Sequence, residues 1–546
     1  MKKAEKYLLN WIPILFFVLL FCAGWILHDD YGGFTDELSE VEVAAVNFKS
    51  ILSILGIPEK LPAIPTVNPD SLVEIQDYQY KFYGSAVMMP SLFILLLPGK
   101  TINTAQFLNF RRFYTFLNFF LALICSFFLF RLRFHNQWIA LLGVTMLVLS
   151  PRFFAESFYN EKDMIFFSWF LISLFGIGLY FFKRSTFGLI IFSAAFGLTV
   201  NTRNFGIVLL PAFIILSVIE LLNSKNRNRK DWILIFFTCG VSLLFYYLFT
   251  PFLWLDPIRN FFSSLQFSAR QVGIGDAELF IGNFIAPKDI WYYIPVWMGI
   301  TIPFFYLVLF LIRIVSLTKS CIRNKMPIRF SKPDLWDFFC FSIIAVSIIG
   351  IAVFKAVIYH GWRHSYFLYG PFICLSVAGF FDLWTISLPT KKSNLIKNML
   401  LVITCLISFL STGLWMVRNH PFDFVYFNEI GRYFAQQFTR DYWGVASKRC
   451  IQEVDRYYID GEPIRLGVNA DLTYGSAQNS LLRFPEATQA HFQVIWKNEN
   501  ADYLCFSYKN IPGNSHPIPG FEIIKTFQVD GYDVAAVYRR IEKNLP

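Results

Sequence analysis

Residues 7–40 read "YLLNWIPILFFVLLFCAGWILHDDYGGFTDELSE". The stretch 7–27 is apolar almost throughout, and about twenty residues at ~1.5 Å each span the ~30 Å of a bilayer's hydrocarbon core. It is too long for the apolar part of a signal peptide and lacks a small-x-small cleavage site. Phe21 before Cys22 is too bulky for lipoprotein processing, so the stretch is predicted to be an uncleaved span. Directly after it come Asp29, Asp30, Asp36, Glu37 and Glu40. Either these acids solvate a loop, or one of them is a carboxylate waiting for a substrate at the bilayer surface.

The rest of the chain agrees with a membrane class. Of 546 residues, 55% are hydrophobic and only 16% charged, with a mean hydropathy of +0.47. A soluble protein could not hide that much apolar surface. The net charge of +10 could suggest nucleic acid. The Lys and Arg residues, however, stand in short runs between apolar segments, the positive-inside pattern, so no nucleic-acid partner is expected. The nine cysteines show no CxxC and no metal-ligand spacing. Only Cys450 and Cys505 fall in a polar region, where they could pair if it is extracytoplasmic.

Further apolar segments follow near 113–130, 137–150, 164–182, 186–200, 204–222, 232–250, 294–312, 338–357, 365–388 and 396–416. The expected fold is a polytopic α-helical membrane protein of about eleven transmembrane helices. "MKKAEK", "RLRFHN", "KRST", "NSKNRNRKD", "RIVSLTKSCIRNKMPIRFSK" and "PTKKSNLIK" fall on alternate connections and are expected to be cytoplasmic. The remaining connections face the opposite side. "GSAVMMPSLFILLLP" (84–98) would reverse that parity if it crossed, and with Pro90 inside it reads as an interfacial or re-entrant helix. In "SEVEVAAVNFKSILSIL" (39–55), Val41, Ala44, Ala45, Phe48, Ile51, Leu52 and Leu55 recur along one face, predicting an amphipathic helix on the membrane. Residues 28–110 thus form a large outer loop with two surface helices. The chain divides into a transmembrane catalytic domain, 1–416, and a small extracytoplasmic α/β domain, 417–546, with strand-like "PIRLGV", "ADYLCFSY" and "YDVAAVYRR".

The unusual polar residues converge on one face: Asp36 and Glu37, then Glu156, Glu161, Lys162 and Asp163, then Arg203, then His360, Arg363 and His364. Short connections cannot travel far, so these groups are expected to share a cavity. Each has a plainer reading. Asp36, Glu37 and Asp163 could favour helix N-termini, and Arg203 and Arg363 could snorkel to headgroups. His360 and His364 have the i,i+4 spacing of a helical zinc pair without the further ligands. As a set, carboxylates opposed by fixed cations at a membrane surface suit deprotonation of a hydroxyl beside a lipid-borne phosphate.

On these residues the chain resembles a known family. "DELSEVEVA" after the first span is similar to the Asp-Glu signature of GT-C membrane glycosyltransferases, which include protein O-mannosyltransferases and the lipid A aminoarabinose transferase. "SPRFFAESFYNEKDM" resembles their second acidic motif, "YHGWRHSYFLYGPF" a late outer-loop motif, and "HPFDFVYFNEIGRYFAQQFTRDYWGVASK" the start of their C-terminal domain. The resemblance implies an enzyme, inverting in the family's pattern, that passes a sugar from a polyprenyl-phosphate donor to a glycan, lipid or protein hydroxyl outside the cytoplasm. It is expected in the bacterial inner membrane with its N-terminus cytoplasmic. Asp36 carries over as catalytic carboxylate, Asp163 as the second acid and Glu37 as the second signature position. Phosphate binding by Arg363, His364, Arg203, Lys162 and His360 is a physical inference. No cofactor is called for, and a divalent metal is compatible but not required. Leu38, Ser39 and Glu40 stand where relatives usually have an aromatic residue, which leaves the acceptor open.

Two other readings stay in view. An oligosaccharyltransferase-like enzyme would use a WWDYG-type motif and a metal-binding DxD, where this chain has "DYWG" at 441–444 and no DxD in the first loop. A transporter of lipid-linked sugars would place its polar groups nearer the membrane midplane.

Overall fold

Among the described residues, eight helices are long and apolar enough to cross a membrane, and the bent pair Gln137–Val148 and Pro151–Tyr159 makes a ninth when counted as one span. Two shorter apolar helices, Trp11–Leu27 and Thr186–Thr202, accompany them. The expected eleven is reached only when the bent pair and both short helices are counted. The structure is a computed structural model that describes residues 2–57, 61–96, 102–223, 228–269, 277–324, 331–459, 461–469, 471–496, 499–514 and 516–541. Parts of two basic connections, 224–227 and 325–330, lie outside the described residues.

The spans differ in burial. In Asp163–Lys183, 78% of the apolar window is buried, against 17% in Lys391–Asn419, so the first is central and the second faces outward. The central helix packs between Thr104–Phe134 and Thr186–Thr202. At one end of the bundle, buried Arg133 and Arg313 share Asp337 at 2.7 and 2.8 Å, and Arg313 also holds Asp334 and Asp382 at 2.6 and 3.0 Å. Charges this far from water persist only when paired.

Several expectations are corrected. The segment near 113–130 is the N-capped helix Thr104–Phe134, which takes the last residues assigned to the outer loop into a span. The 294–312 segment is broken: a short helix, Tyr293–Thr301, precedes the span Phe304–Asn324. The connection after 150 is the helix Pro151–Tyr159, bent by 68° from its predecessor and buried rather than solvated. The helix Glu37–Ile54 is not one-sided. Val43, Val46, Asn47 and Ser50 are buried along with Val41, Ala44, Ala45 and Leu52 of the predicted stripe, while Phe48 and Ile51 are half-buried and Leu55 is exposed. The reason is tertiary, since Ile64, Leu72, Ile75, Tyr78 and Leu92 from the rest of the loop fold over it. Within 84–98 the described helix is the 3₁₀ segment Met89–Leu96, which at ~2 Å per residue is far too short to cross.

A two-stranded hairpin, β1 (Glu278–Phe280) and β2 (Asn283–Ile285), lies between spans. The C-terminal sheet follows the last span, with β3 (Ile464–Val468), β4 (Phe492–Trp496), β5 (Tyr503–Ser507), β6 (Phe521–Val529) and β7 (Tyr532–Arg540) in the order β4-β3-β5-β7-β6. β3 runs parallel to β4 and β5, and β7 is antiparallel to both its neighbours. Cys450 and Cys505 are both buried and free.

The outer loop is stitched to this domain just before Asp36. The Gly33 N–H donates to Ser480 Oγ (2.7 Å), Ser476 Oγ donates to the Gly33 carbonyl (2.7 Å), and Asn479 donates to the Phe34 carbonyl (2.8 Å). A β-carbon on Gly32 or Gly33 would run into the backbone of Val445 or of Asn479 and Ser480, which explains the double glycine. Gly33→Val is expected to cost about 1–3 kcal/mol by overpacking. A lowered melting temperature in detergent, with earlier proteolysis between span and domain, would show it.

Candidate active site

Asp163 is the first residue of the central helix and is fully buried. Its backbone N–H donates to Asn160 Oδ1 (2.8 Å), and Asn160 Nδ2 donates to its carboxylate (3.2 Å). Asn160 is itself held by Glu156 (2.6 Å), which also accepts from the Tyr366 hydroxyl (2.7 Å). The Asp163 carboxylate forms ion pairs with Arg203 Nη2 and with Arg363 Nη1, the latter at 3.0 Å. Arg203 caps the end of Thr186–Thr202, and Arg363 opens the 3₁₀ turn leading into Tyr369–Thr385. One carboxylate therefore gathers three helices.

Both guanidinium groups keep donors in reserve, because the Nε atoms of Arg203 and Arg363 are buried without a hydrogen-bond partner. Arg363 sits among the rings of Tyr359, Tyr442 and Trp443, with centroids 4.8, 4.8 and 4.6 Å away. A planar cation stacks well on aromatic faces while its edge stays available to an anion. Tyr442 also stacks on His360 at 3.6 Å. "DYWG" thus supplies ring faces, while Asp441 accepts from the N–H groups of Val445 (3.0 Å) and Ala446 (2.9 Å).

Asp36 immediately precedes the helix Glu37–Ile54, and its side chain makes no cap hydrogen bond. Among the described residues its carboxylate has no ion-pair partner either. Burial pushes this carboxyl above its ordinary value, and Glu40 and Asp163 act the same way, against the pull of Arg363 and Lys162. Asp36, Asp163, Arg363 and Lys162 are therefore close enough to feel one another. Asp36 is the N-cap residue of that helix, so the plainer helix-terminus reading keeps its position but gains no cap hydrogen bond.

Glu37 does something else. It is buried between Arg112 (3.4 Å) and Arg483, and Arg112 also donates to the carbonyls of Tyr31 and Gly32. Lys162 is held by Glu40 at 2.9 Å and lies 3.4 Å above the Tyr83 ring. His364 packs edge-on against Tyr359, and its Nδ1 has no hydrogen-bond partner. His360 is not on a helix with His364. It has a positive φ of 59° in the turn before the 3₁₀ segment, which corrects the helical zinc spacing. Burial, with Lys509, Arg363 and His364 adding to it, pushes the His360 imidazole well below its ordinary value and keeps it neutral. Among the described residues no group of three or more His, Cys, Asp or Glu side chains could hold a metal ion.

Sequence reasoning missed Tyr359, Tyr442, Trp443, Arg111, Arg112 and Arg483. Arg111 and Arg112 were findable, because adjacent arginines continuous with a membrane-length helix need buried acids, and Arg111 finds Glu161. Tyr442 and Trp443 stood in the "DYWG" stretch, but nothing local placed them against Arg363, since they arrive from a separate part of the chain.

Residues 109–254 match the family model described as dolichyl-phosphate-mannose-protein mannosyltransferase. This stretch includes Asp163, Lys162 and Arg203, and the match supports the resemblance to GT-C membrane glycosyltransferases. No curated protein sequence matches the chain. Among solved structures, ArnT from Cupriavidus metallidurans in the apo state is similar with a TM-score of 0.48 and 12% identity, covering 98% of both chains. The same protein bound to undecaprenyl phosphate gives 0.46 and 12%, covering 98% of this chain and 99% of that one. The oligosaccharyltransferase AglB from Archaeoglobus fulgidus, in complex with an inhibitory peptide and a dolichol-phosphate, gives 0.43 and 10%, covering 91% and 70%.

Asp163→Asn would leave Arg203 and Arg363 buried without their shared counter-charge. Breaking a buried pair from one side typically costs ~3–5 kcal/mol. The expected result is a large drop in melting temperature in detergent, and an unchanged value would show that the arginines find another anion.

Proposed function

We infer that this integral membrane protein is a GT-C glycosyltransferase that moves a sugar from a polyprenyl-phosphate donor to a hydroxyl on a glycan, lipid or protein acceptor. The observation that carries this reading is the contrast between two neighbouring acids. Asp163 is fully buried and neutralised by Arg203 and Arg363, while half-buried Asp36 feels the same cations without a side-chain cap hydrogen bond. The family match over 109–254 supports the class.

In this mechanism the donor phosphate lies against Arg363 and Arg203, whose unused Nε–H groups suit phosphate oxygens. His364, with a free ring nitrogen, hydrogen-bonds the same group, and the neutral His360 keeps Tyr442 in the aromatic wall. Lys162 contributes field rather than contact while Glu40 holds it. As the sugar–phosphate bond breaks, negative charge grows on the phosphate beside the arginines. Asp36 takes the proton from the acceptor hydroxyl as that oxygen attacks the anomeric carbon. Glu37 is a positioning residue that fixes the loop through Arg112 and Arg483.

Asp36→Asn keeps the shape and removes the base, so transfer should fall ~10²–10⁴-fold. Because the folded state raises the Asp36 carboxyl above its unfolded value, the folded protein binds the extra proton, and ionised Asp36 lowers stability as pH rises through that window. The same substitution should therefore raise the melting temperature at neutral pH, with the gain vanishing below the ordinary carboxylate range. Transfer by the unaltered enzyme should fall as pH drops through the raised value. Assay of purified protein in detergent with a panel of polyprenyl-phosphate sugars is the deciding measurement. Near-normal turnover of Asp36→Asn at saturating donor would falsify the base assignment.

The proposed location is the bacterial inner membrane, with the N-terminus cytoplasmic and the C-terminal domain periplasmic, as the basic connections suggest. In intact cells and a background without native cysteines, Glu486→Cys should react with an impermeant maleimide, whereas Lys392→Cys should not. Both positions are exposed. The reverse labelling would invert the assignment.

A further inference from the structure

A cavity of ≈ 390 Å³ opens between the helices Thr104–Phe134 and Asp163–Lys183, at their C-terminal ends. The site around Asp36 and Asp163 makes no use of it. Asp163 and Lys183 close opposite ends of one helix, ~30 Å apart at 1.5 Å per residue, about the thickness of a bilayer core. The cavity therefore belongs to the other leaflet.

Its lining comes from the last turns of both helices. Phe128 and Leu132 on one helix, and Phe175 and Leu179 on the other, make an apolar tier, with Phe128 and Phe175 ring centroids 6.5 Å apart. Arg131, His135 and Lys183 supply the cationic part of the lining. Phe128 is 44% exposed, so the apolar tier opens sideways, where lipid lies. Neighbouring cations are satisfied: Arg133 pairs with Asp337 at 2.7 Å and Arg184 with Glu220 at 3.0 Å. Arg131, His135 and Lys183 have no acidic partner among the described residues. Their chain positions alternate with those of the paired cations, so the side facing the cavity is the side left without counter-charge. The negative helix ends oppose an anion there, but their last-turn carbonyls are already engaged. The N–H groups of His135 and Arg184 donate to the Arg131 and Tyr180 carbonyls at 3.0 and 2.7 Å.

We propose that this cavity binds an anionic glycerophospholipid, its phosphate held by Arg131, Lys183 and His135 and an acyl chain laid along Phe128 and Phe175. Cations over an apolar cleft at the lipid surface complement a charged headgroup above its chain. Occupancy would bridge the central helix and Thr104–Phe134 at the end of the bundle remote from Asp36.

The test uses the full chain, purified in detergent and delipidated, with lipid retention read by native mass spectrometry. Dioleoyl phosphatidylglycerol should be retained on the order of tenfold better than dioleoyl phosphatidylcholine, and Arg131→Gln/Lys183→Gln should remove the difference. Leu179→Trp, which fills the cavity and keeps the charges, should reduce phosphatidylglycerol retention as well, and it carries the test if the double variant melts too early to assay. Soluble glycerol 3-phosphate should not compete. Equal retention of the two lipids, undiminished retention by a folded variant, or full competition by glycerol 3-phosphate would each overturn the lipid assignment.

Discussion

Removing a charge from water is so costly that an ionised side chain inside a membrane protein dictates what surrounds it. Asp163 sits fully buried at the head of one of the two most enclosed spans described, and it is tolerated because Arg203 and Arg363 converge on it from two other helices. That convergence fixes the ends of three helices relative to one another. Glu156 and Asn160 complete the arrangement from the preceding bent helix, so the whole corner is built around one carboxylate.

The same rule explains how the C-terminal domain is attached. Glu37 can be buried only because Arg112 comes from a span and Arg483 from the domain. The outer loop is thereby held from both sides, one residue after Asp36. The close approach at Gly32 and Gly33 adds a second, steric fixation just before it. Asp36 thus lies on a short, doubly anchored segment, and among the described residues its side chain has no ion-pair partner. Burial and the neighbouring acids raise this carboxyl against the pull of Arg363 and Lys162, so its position costs the folded state stability once it is ionised.

The aromatic wall shows why the two parts of the chain need each other. Arg363 comes from the membrane part and Tyr359 from the turn before it, while Tyr442 and Trp443 come from beyond the last span. Stacked rings restrain the guanidinium plane while leaving its Nε–H unused, although the Tyr442 hydroxyl accepts from Nη2 at 3.4 Å. Without the C-terminal domain, this arginine would lose two of its three faces.

Much was legible in the sequence by itself because the underlying signals are local. A bilayer demands long apolar segments, so the spans from 163, 332 and 391 could be read directly, and strands such as 503–507 and 532–540 announced themselves by composition. The clustering of Asp36, Asp163, Arg203 and Arg363 was also readable, since short connections keep span ends together. Tertiary structure alone decided how these groups divide their work. Adjacent acids in "DELSE" look equivalent in one dimension, yet Glu37 became an anchor, Glu40 a partner for Lys162, and Asp36 an unpaired carboxylate. The broken helix at 302–303 and the burial of Glu37–Ile54 on more than one face were likewise imposed from elsewhere in the chain. The physical reason is the same in each case: hydropathy is a property of a segment, whereas the partner that neutralises a buried charge or covers an apolar face comes from a distant one.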